Sequence, residues 1–236
     1  MYKIKKEDLT ALFRAIAAEQ ELYVPVKTAG KVNFGPWSED AEVDIDTLKS
    51  VKSPKDVFFP QSENLYTCER EGRKLKVEPE ALKEQKFTVF GMRACDVQGV
   101  KVLDQVFLAD PVDSFYAARR EHGTMVAIAC HEPEESCFCK VFGIDCAEPA
   151  ADVAAWFAGE ELYWKALTEK GQTLTEILSG LLTDADTEDE KKLSEEQTAI
   201  RAIVEKLPYS HLSLEGWDGN ATDAKFNSPV WETLYK

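Results

Sequence analysis

The residues of this chain best equipped for chemistry are its six cysteines, Cys68, Cys95, Cys130, Cys137, Cys139 and Cys146. Four of them fall within the seventeen residues CHEPEESCFCKVFGIDC, separated by six, one and six residues. That density is unlike cysteines used only as small core hydrophobes. Four soft thiolates favour Zn²⁺ or an iron–sulfur cluster. A structural zinc site usually draws on CxxC knuckles, because one tight turn points two thiolates at one small ion, and the chain has no CxxC. A cubane cluster presents separate coordination positions and suits ligands scattered over several loops. The CxC pair also suits a cluster, since Phe138 between the two cysteines would limit solvent access. A redox dithiol, or unligated buried cysteines, stay open as alternatives. Cys68 reads as a structural or half-exposed thiol, and Cys146, beyond a turn at Gly143, as a reserve ligand.

These cysteines need a scaffold, and the pattern from residue 87 onward supplies a βαβ unit. FTVFG reads as a buried strand, RACD as a loop, VQGVKVLDQVF as a helix, and TMVAIAC at 124–130 as a second buried strand. Two such strands joined by a helical crossover are expected to be parallel neighbours. Cys95 then follows one strand and Cys130 ends the other, at the carboxyl edge where open α/β sheets place ligands. Cys137 and Cys139 sit in the loop leaving that edge, so Cys95, Cys130, Cys137 and Cys139 can converge. Asp96 is placed to cap the helix. Arg93, Arg119 and Arg120 are expected near the site, where a cation would stabilise a reduced thiolate cluster; surface pairing is the alternative for Arg120. His122 and His131 flank the second strand; His131 follows Cys130 directly and is a candidate ligand, with a loop hydrogen-bonder as the commoner role of a lone histidine. No GxSxG, Walker loop, GxGxxG or HExxH occurs, so the chain has no hydrolase or nucleotide-binding signature.

The expected fold class is α/β, with a β-rich N-terminal part, a parallel βαβ core and a helical C-terminal part. Its segments are 1–86, 87–183 and 184–236. In the first, Leu9, Leu12, Phe13, Ile16 and Ala17 mark one face of an N-terminal amphipathic helix. LYVPVK and KVNFGPW read as a hairpin, and a second pair of short strands turns at Glu71-Gly72. In the second, ADVAAWFAGEELYWKAL reads as a helix-like piece plus a strand, and GQTLTEILSGLL as a helix. The run DADTEDEKKLSEE, seven acidic and two basic residues, reads as an exposed linker and the start of a polar helix.

At 236 residues with 44% hydrophobic composition, the chain can bury a core without disulfides. Its 43 acidic against 28 basic residues give a formal charge of −15. Such a field repels phosphate backbones and anionic membranes, which excludes nucleic-acid and membrane-surface binding as first expectations and leaves basic proteins and cations. No apolar run approaches the roughly 18 residues of a membrane span, and no secretory signal is present. The expected location is cytoplasmic, where thiols stay reduced.

FGMRACDVQGVKVLDQVF followed by DPVDSFYAARREHGTMVAIACHEPEESCFCKVFG resembles the family that joins sulfhydrogenase β subunits with their counterpart in anaerobic sulfite reductase, and the earlier FFPQSENLY is similar too. The resemblance runs from about residue 50 to 180. It implies an electron-transfer subunit, not catalytic alone, whose α/β domain precedes a dicluster ferredoxin module. It further implies a relay between a flavin- and nucleotide-binding subunit and a catalytic subunit. The implied 4Fe-4S ligands are Cys95, Cys130, Cys137 and Cys139, with Asp96 as an alternative oxygen ligand and Cys146 in reserve. The chain contains no CxxCxxC and ends at SPVWETLYK, near where the family's ferredoxin runs begin. The ferredoxin-like module is therefore expected elsewhere, on a longer gene product or a separate polypeptide. The rival from another class is a zinc-stabilised or metal-free interaction domain that docks electron-transfer partners.

Overall fold

Two runs without a single charged side chain, FTVFGM and GTMVAI, become neighbouring central strands whose every residue is buried. The computed structural model describes residues 1–215 and 225–234. In chain order its elements begin with β1 (Tyr2–Lys5), α1 (Leu9–Glu19), β2 (Glu21–Thr28), β3 (Lys31–Pro36), β4 (Tyr66–Glu71) and β5 (Lys74–Pro79). The core follows with β6 (Phe87–Met92), α2 (Ala94–Phe107), α3 (Ser114–His122) and β7 (Gly123–Ile128). Then come β8 (Val153–Ala158), β9 (Glu161–Ala166), α4 (Glu169–Ile177), β10 (Thr183–Asp184) and α5 (Thr187–Val204).

Among the described residues the main sheet has eight strands in the order β10-β1-β9-β8-β7-β6-β2-β3. β2, β6, β7 and β8 run parallel and the remaining pairings are antiparallel. The fold is α/β, and β6–α2–β7 is the parallel βαβ unit expected from the sequence. β4 and β5 form a separate exposed hairpin.

Strand alternation divides the core between the two faces of the sheet. Phe90, Val126, Ile128 and Ala155 meet Leu12 and Ile16 of α1 and Leu174 of α4. Val89, Met125 and Ala127 face the other way, against Val97 and Val100 of α2 and Tyr116 of α3. On that same side Leu193 of α5 packs on Trp156 and Tyr163, and Ile200 packs on Cys130 and Cys146.

Four local readings change. Residues 2–5 form a strand ahead of the N-terminal helix, paired between β9 and β10. VAAWFA, helix-like by its alanines, is strand β8, because pairing with β7 and β9 and full burial of Ala154 and Ala155 override helix propensity. SFYAARREH, a segment to which the sequence pattern assigns no element, is helix α3, capped by the Asp113 carboxylate accepting from the Tyr116 N–H. The acidic run is helical from Thr187 onward, and Asp189 within it is buried.

Asp189 ties that acidic helix to the N-terminal strand. Its carboxylate accepts from Lys3 Nζ at 2.6 Å, Tyr163 Oη at 2.9 Å and the Asp186 N–H at 3.0 Å. The Lys3 ammonium first, then the Asp186 amide, hold its pKa down to about 2. A depressed carboxylate stabilises the fold fully above its ordinary value of 3.8, and that contribution is lost as pH falls towards 2. The melting temperature of the native protein should therefore drop more steeply across this window than that of Asp189→Asn. Parallel acid profiles for the two proteins would refute the assignment.

Candidate metal centre

At its carboxyl end β6 bulges at Gly91, where φ is +97° and the pairing with β7 shifts register. Glycine is favoured here by that left-handed backbone and by the approach of Pro25, whose Cδ would lie 3.1 Å from an added Cβ. The bulge delivers Arg93 to the start of α2 and Cys95 to its first turn. Arg93 is buried, and its guanidinium donates to the carbonyls of Ala129 (3.3 Å), Ile45 (2.9 Å) and Thr47 (3.1 Å). One side chain thus fastens the end of β7 to the 45–49 loop. Asp96 caps α2 from inside its first turn: one carboxylate oxygen accepts from the Arg93 N–H and the other from Ser53 Oγ. Burial pushes the Asp96 carboxyl up.

Beyond β7 the chain enters the cysteine loop, which is closed at its base by the Cys130 N–H donating to the Cys146 carbonyl at 2.9 Å. Cys139 opens a 3-10 turn ending at Gly143, whose φ of +65° reverses the chain and lets the Ile144 N–H return to the Cys139 carbonyl. Outer contacts hold the loop in place. Lys49 donates to Glu134 (2.5 Å) and Ser136 (2.8 Å), Arg201 of α5 donates to Asp145 and Glu148, and Lys140 pairs with Glu205.

The thiols meet in pairs. Cys95 neighbours Cys139, and Cys130 neighbours Cys146. In each pair the neighbouring sulfur pushes one thiol up, Cys95 or Cys130, and holds the other down, Cys139 or Cys146. Cys139 also feels Cys130, Cys137 and Cys146, and Cys130 feels Cys95. Five of the six cysteines therefore share one neighbourhood at the carboxyl edge of β6 and β7. Cys68 stands apart on the exposed hairpin, opposite Val77. Among the described residues no three Cys, His, Asp or Glu side chains are gathered tightly enough to hold a single metal ion.

Two cavities border the thiols. One of about 390 Å³ is lined by Cys130, His131, Trp156 and Glu196, the other, of about 180 Å³, by Cys95, Asp96 and Lys49; Arg93 lies on both. The positive groups near the thiols are Arg93, which favours the Cys130 thiolate, and Lys49, which interacts with Cys137 and Cys95. Lys49, one of three lysines in the irregular stretch KSVKSPK, carries no signal in the sequence that sets it apart. Arg119 and Arg120, expected near the site, lie at the far edge, because α3 leads into the amino end of β7. Arg120 is spent on Asp104 at 2.7 and 2.9 Å, and Arg119 on Glu63. His122 lines a cleft at that same far edge. His131 is exposed, with Nδ1 3.5 Å from Glu196, and His211 lies on an exposed turn.

No protein-family model matches the chain. Its sequence is 25% identical over 231 residues, 98% of its length, to the sulfhydrogenase 2 subunit beta of Pyrococcus furiosus. The chain spans 66% of that relative's length. The resemblance carried by the cysteine-bearing block thus extends over nearly the whole sequence, and the chain is a distant relative of a sulfhydrogenase β subunit.

Proposed function

We propose that this chain is an electron-transfer subunit of a multi-subunit oxidoreductase and holds one 4Fe-4S cluster at the carboxyl edge of β6 and β7. The observation that carries the reading is the gathering of five cysteines, Cys95 and the four of the 130–146 stretch, onto that edge. Thiols spread as side-by-side pairs suit a cluster with separate corners better than one small ion. Cys95, Cys130, Cys137 and Cys139 are the proposed ligands, with Cys146 packed behind Cys130. Asp96 has both carboxylate oxygens engaged, one by the Arg93 N–H and the other by Ser53 Oγ. When bound, the cluster supplies a site that takes up and releases one electron.

The chain's own groups prepare the place. Arg93 sets a buried positive charge beside Cys130 without spending it on a carboxylate, and Lys49 adds another near Cys137 and Cys95. Both favour thiolates over thiols. Arg201 and Lys49 clamp the loop from two sides, which limits its reorganisation. The partners of this reading are a flavin- or nucleotide-binding subunit, a catalytic subunit and a ferredoxin-like module, and its compartment is the reducing cytoplasm. No helix among the described residues is long and apolar enough to cross a membrane.

Anaerobic purification with metal analysis and a visible spectrum tests the proposal. A brown protein with about four iron atoms per chain, bleached by dithionite, is the expected result. A colourless protein carrying one zinc, or no metal, would overturn it in favour of an interaction domain that docks redox partners without carrying electrons.

A further inference from the structure

The gathered cysteines outnumber the ligands of one cluster, and they sit as pairs. Cys130 and Cys146 are joined through the backbone, the Cys130 N–H donating to the Cys146 carbonyl at 2.9 Å, and both side chains are buried beside Ala147 and Ile200. In paired strands a bond of this kind holds Cα atoms roughly 5.5 Å apart, inside the range of about 4.4–6.8 Å that a disulfide bridges. Cys95 and Cys139 form the second pair, one in the first turn of α2 and the other at the start of the 3-10 turn. Cys95 is exposed and Cys139 half-buried, so a small reagent reaches this pair from outside. Cys137 interacts with Lys49 and Cys139 through charge alone, and Cys68 lies on the separate hairpin.

We propose that the metal-free chain reacts with small organic disulfides, of which oxidised glutathione is one, to close Cys95 onto Cys139 and Cys130 onto Cys146 as two reversible disulfides. One cysteine of a pair attacks a glutathione sulfur; the glutathione S–S bond breaks, and the departing sulfur takes the proton that the cysteine gave up. The second cysteine then attacks the protein sulfur of the mixed disulfide, and the other glutathione leaves as thiol in the same way. Each round oxidises two cysteine thiols to one disulfide and reduces one oxidised glutathione to two thiols. An excess of reduced thiol runs it backwards. Once closed, the bonds keep three of the four proposed ligands, Cys95, Cys130 and Cys139, from iron and from irreversible oxidation to sulfonic acid. The pairing rests on the placement of the thiols, and only its bearing on iron rests on the electron-transfer reading.

Peptide mapping by mass spectrometry tests it, on the full chain freed of metal by chelation, reduced, held with oxidised glutathione and then alkylated. Cys95 should be found linked to Cys139 and Cys130 to Cys146, the first pair closing sooner because it is the accessible one. Dithiothreitol should return all of these thiols to alkylation, and Cys68 and Cys137 should stay outside any cross-link. Absence of either linkage, a link through Cys68 or Cys137, or bonds between chains in place of these would each overturn the proposal. Cys139→Ser should leave Cys95 without a partner and the Cys130–Cys146 bond intact; a new bond from Cys95 to another cysteine would show that the fold does not set the pairs. The iron-loaded chain, held with the same glutathione, should form neither bond. If it formed both as readily as the metal-free chain, the three cysteines would not be ligands, and the cluster reading would fall while the pairing stood. A loaded chain that is protected, beside a metal-free chain that pairs its cysteines otherwise, would do the reverse.

Discussion

Cys139→Ser is expected to strip the chain of most of its iron, more completely than any other single cysteine change. Cys139 is the one thiol that interacts with Cys95, Cys130, Cys137 and Cys146 together, so it stands at the centre of the group. A serine hydroxyl is a hard, weakly acidic donor and a poor replacement for a soft thiolate. Cys68→Ser should keep full iron, because Cys68 lies on the separate hairpin. Cys137 and Cys146 discriminate the fourth ligand. Cys137→Ser should lose most of its iron, whereas Cys146→Ser should retain it with a shifted reduction potential, since a hydrogen-bonding neighbour of a ligating sulfur tunes rather than holds the metal. Iron analysis of the anaerobically purified variants decides this. The opposite pattern, retention in Cys137→Ser and loss in Cys146→Ser, would transfer the fourth place to the buried cysteine. Retention in Cys139→Ser would end the cluster proposal at this edge.

Much of this arrangement can be read from local pattern, and the parts that cannot have physical reasons. Strands β6 and β7 are legible because a central parallel strand is apolar on both faces, and the carboxyl-edge rule then places Cys95 and Cys130 without further information. Strand β8 is illegible for the same burial: Ala154 and Ala155 are small because the sheet is covered on both sides, and alanine in isolation signals helix. Helix α3 buries only Tyr116 and Ala118, too few positions for a period to emerge. A plain connection in its place would leave Arg119 and Arg120 free to approach the cysteines, whereas a nine-residue helix carries them to the amino end of β7. Lys49 is the converse case. Its position depends on a long-range contact with Glu134, 85 residues away, and no local pattern encodes that.

Arg93→Met is expected to destabilise the fold by about 3 kcal/mol, because three carbonyls, one of them in a buried bond, lose their charged donor at once. Methionine preserves the apolar stem, so the loss would come from the guanidinium and not from a cavity. Arg93→Lys should recover little of it. The guanidinium spans the Ala129, Ile45 and Thr47 carbonyls with a rigid fork, whereas a single ammonium at the end of a flexible stem cannot reach all three at once. Urea unfolding of the metal-free proteins would measure the difference, free of any contribution from iron. The Ile45 and Thr47 carbonyls belong to the loop that carries Lys49, so the same substitution should make that segment the first site of limited proteolysis. If Arg93→Lys matched the native chain in both assays, the residue would be acting as a charge beside Cys130 alone. A loss in Arg93→Met, unrepaired by lysine, would show that the same side chain sets the charge beside the thiols and holds the cation-bearing loop against them.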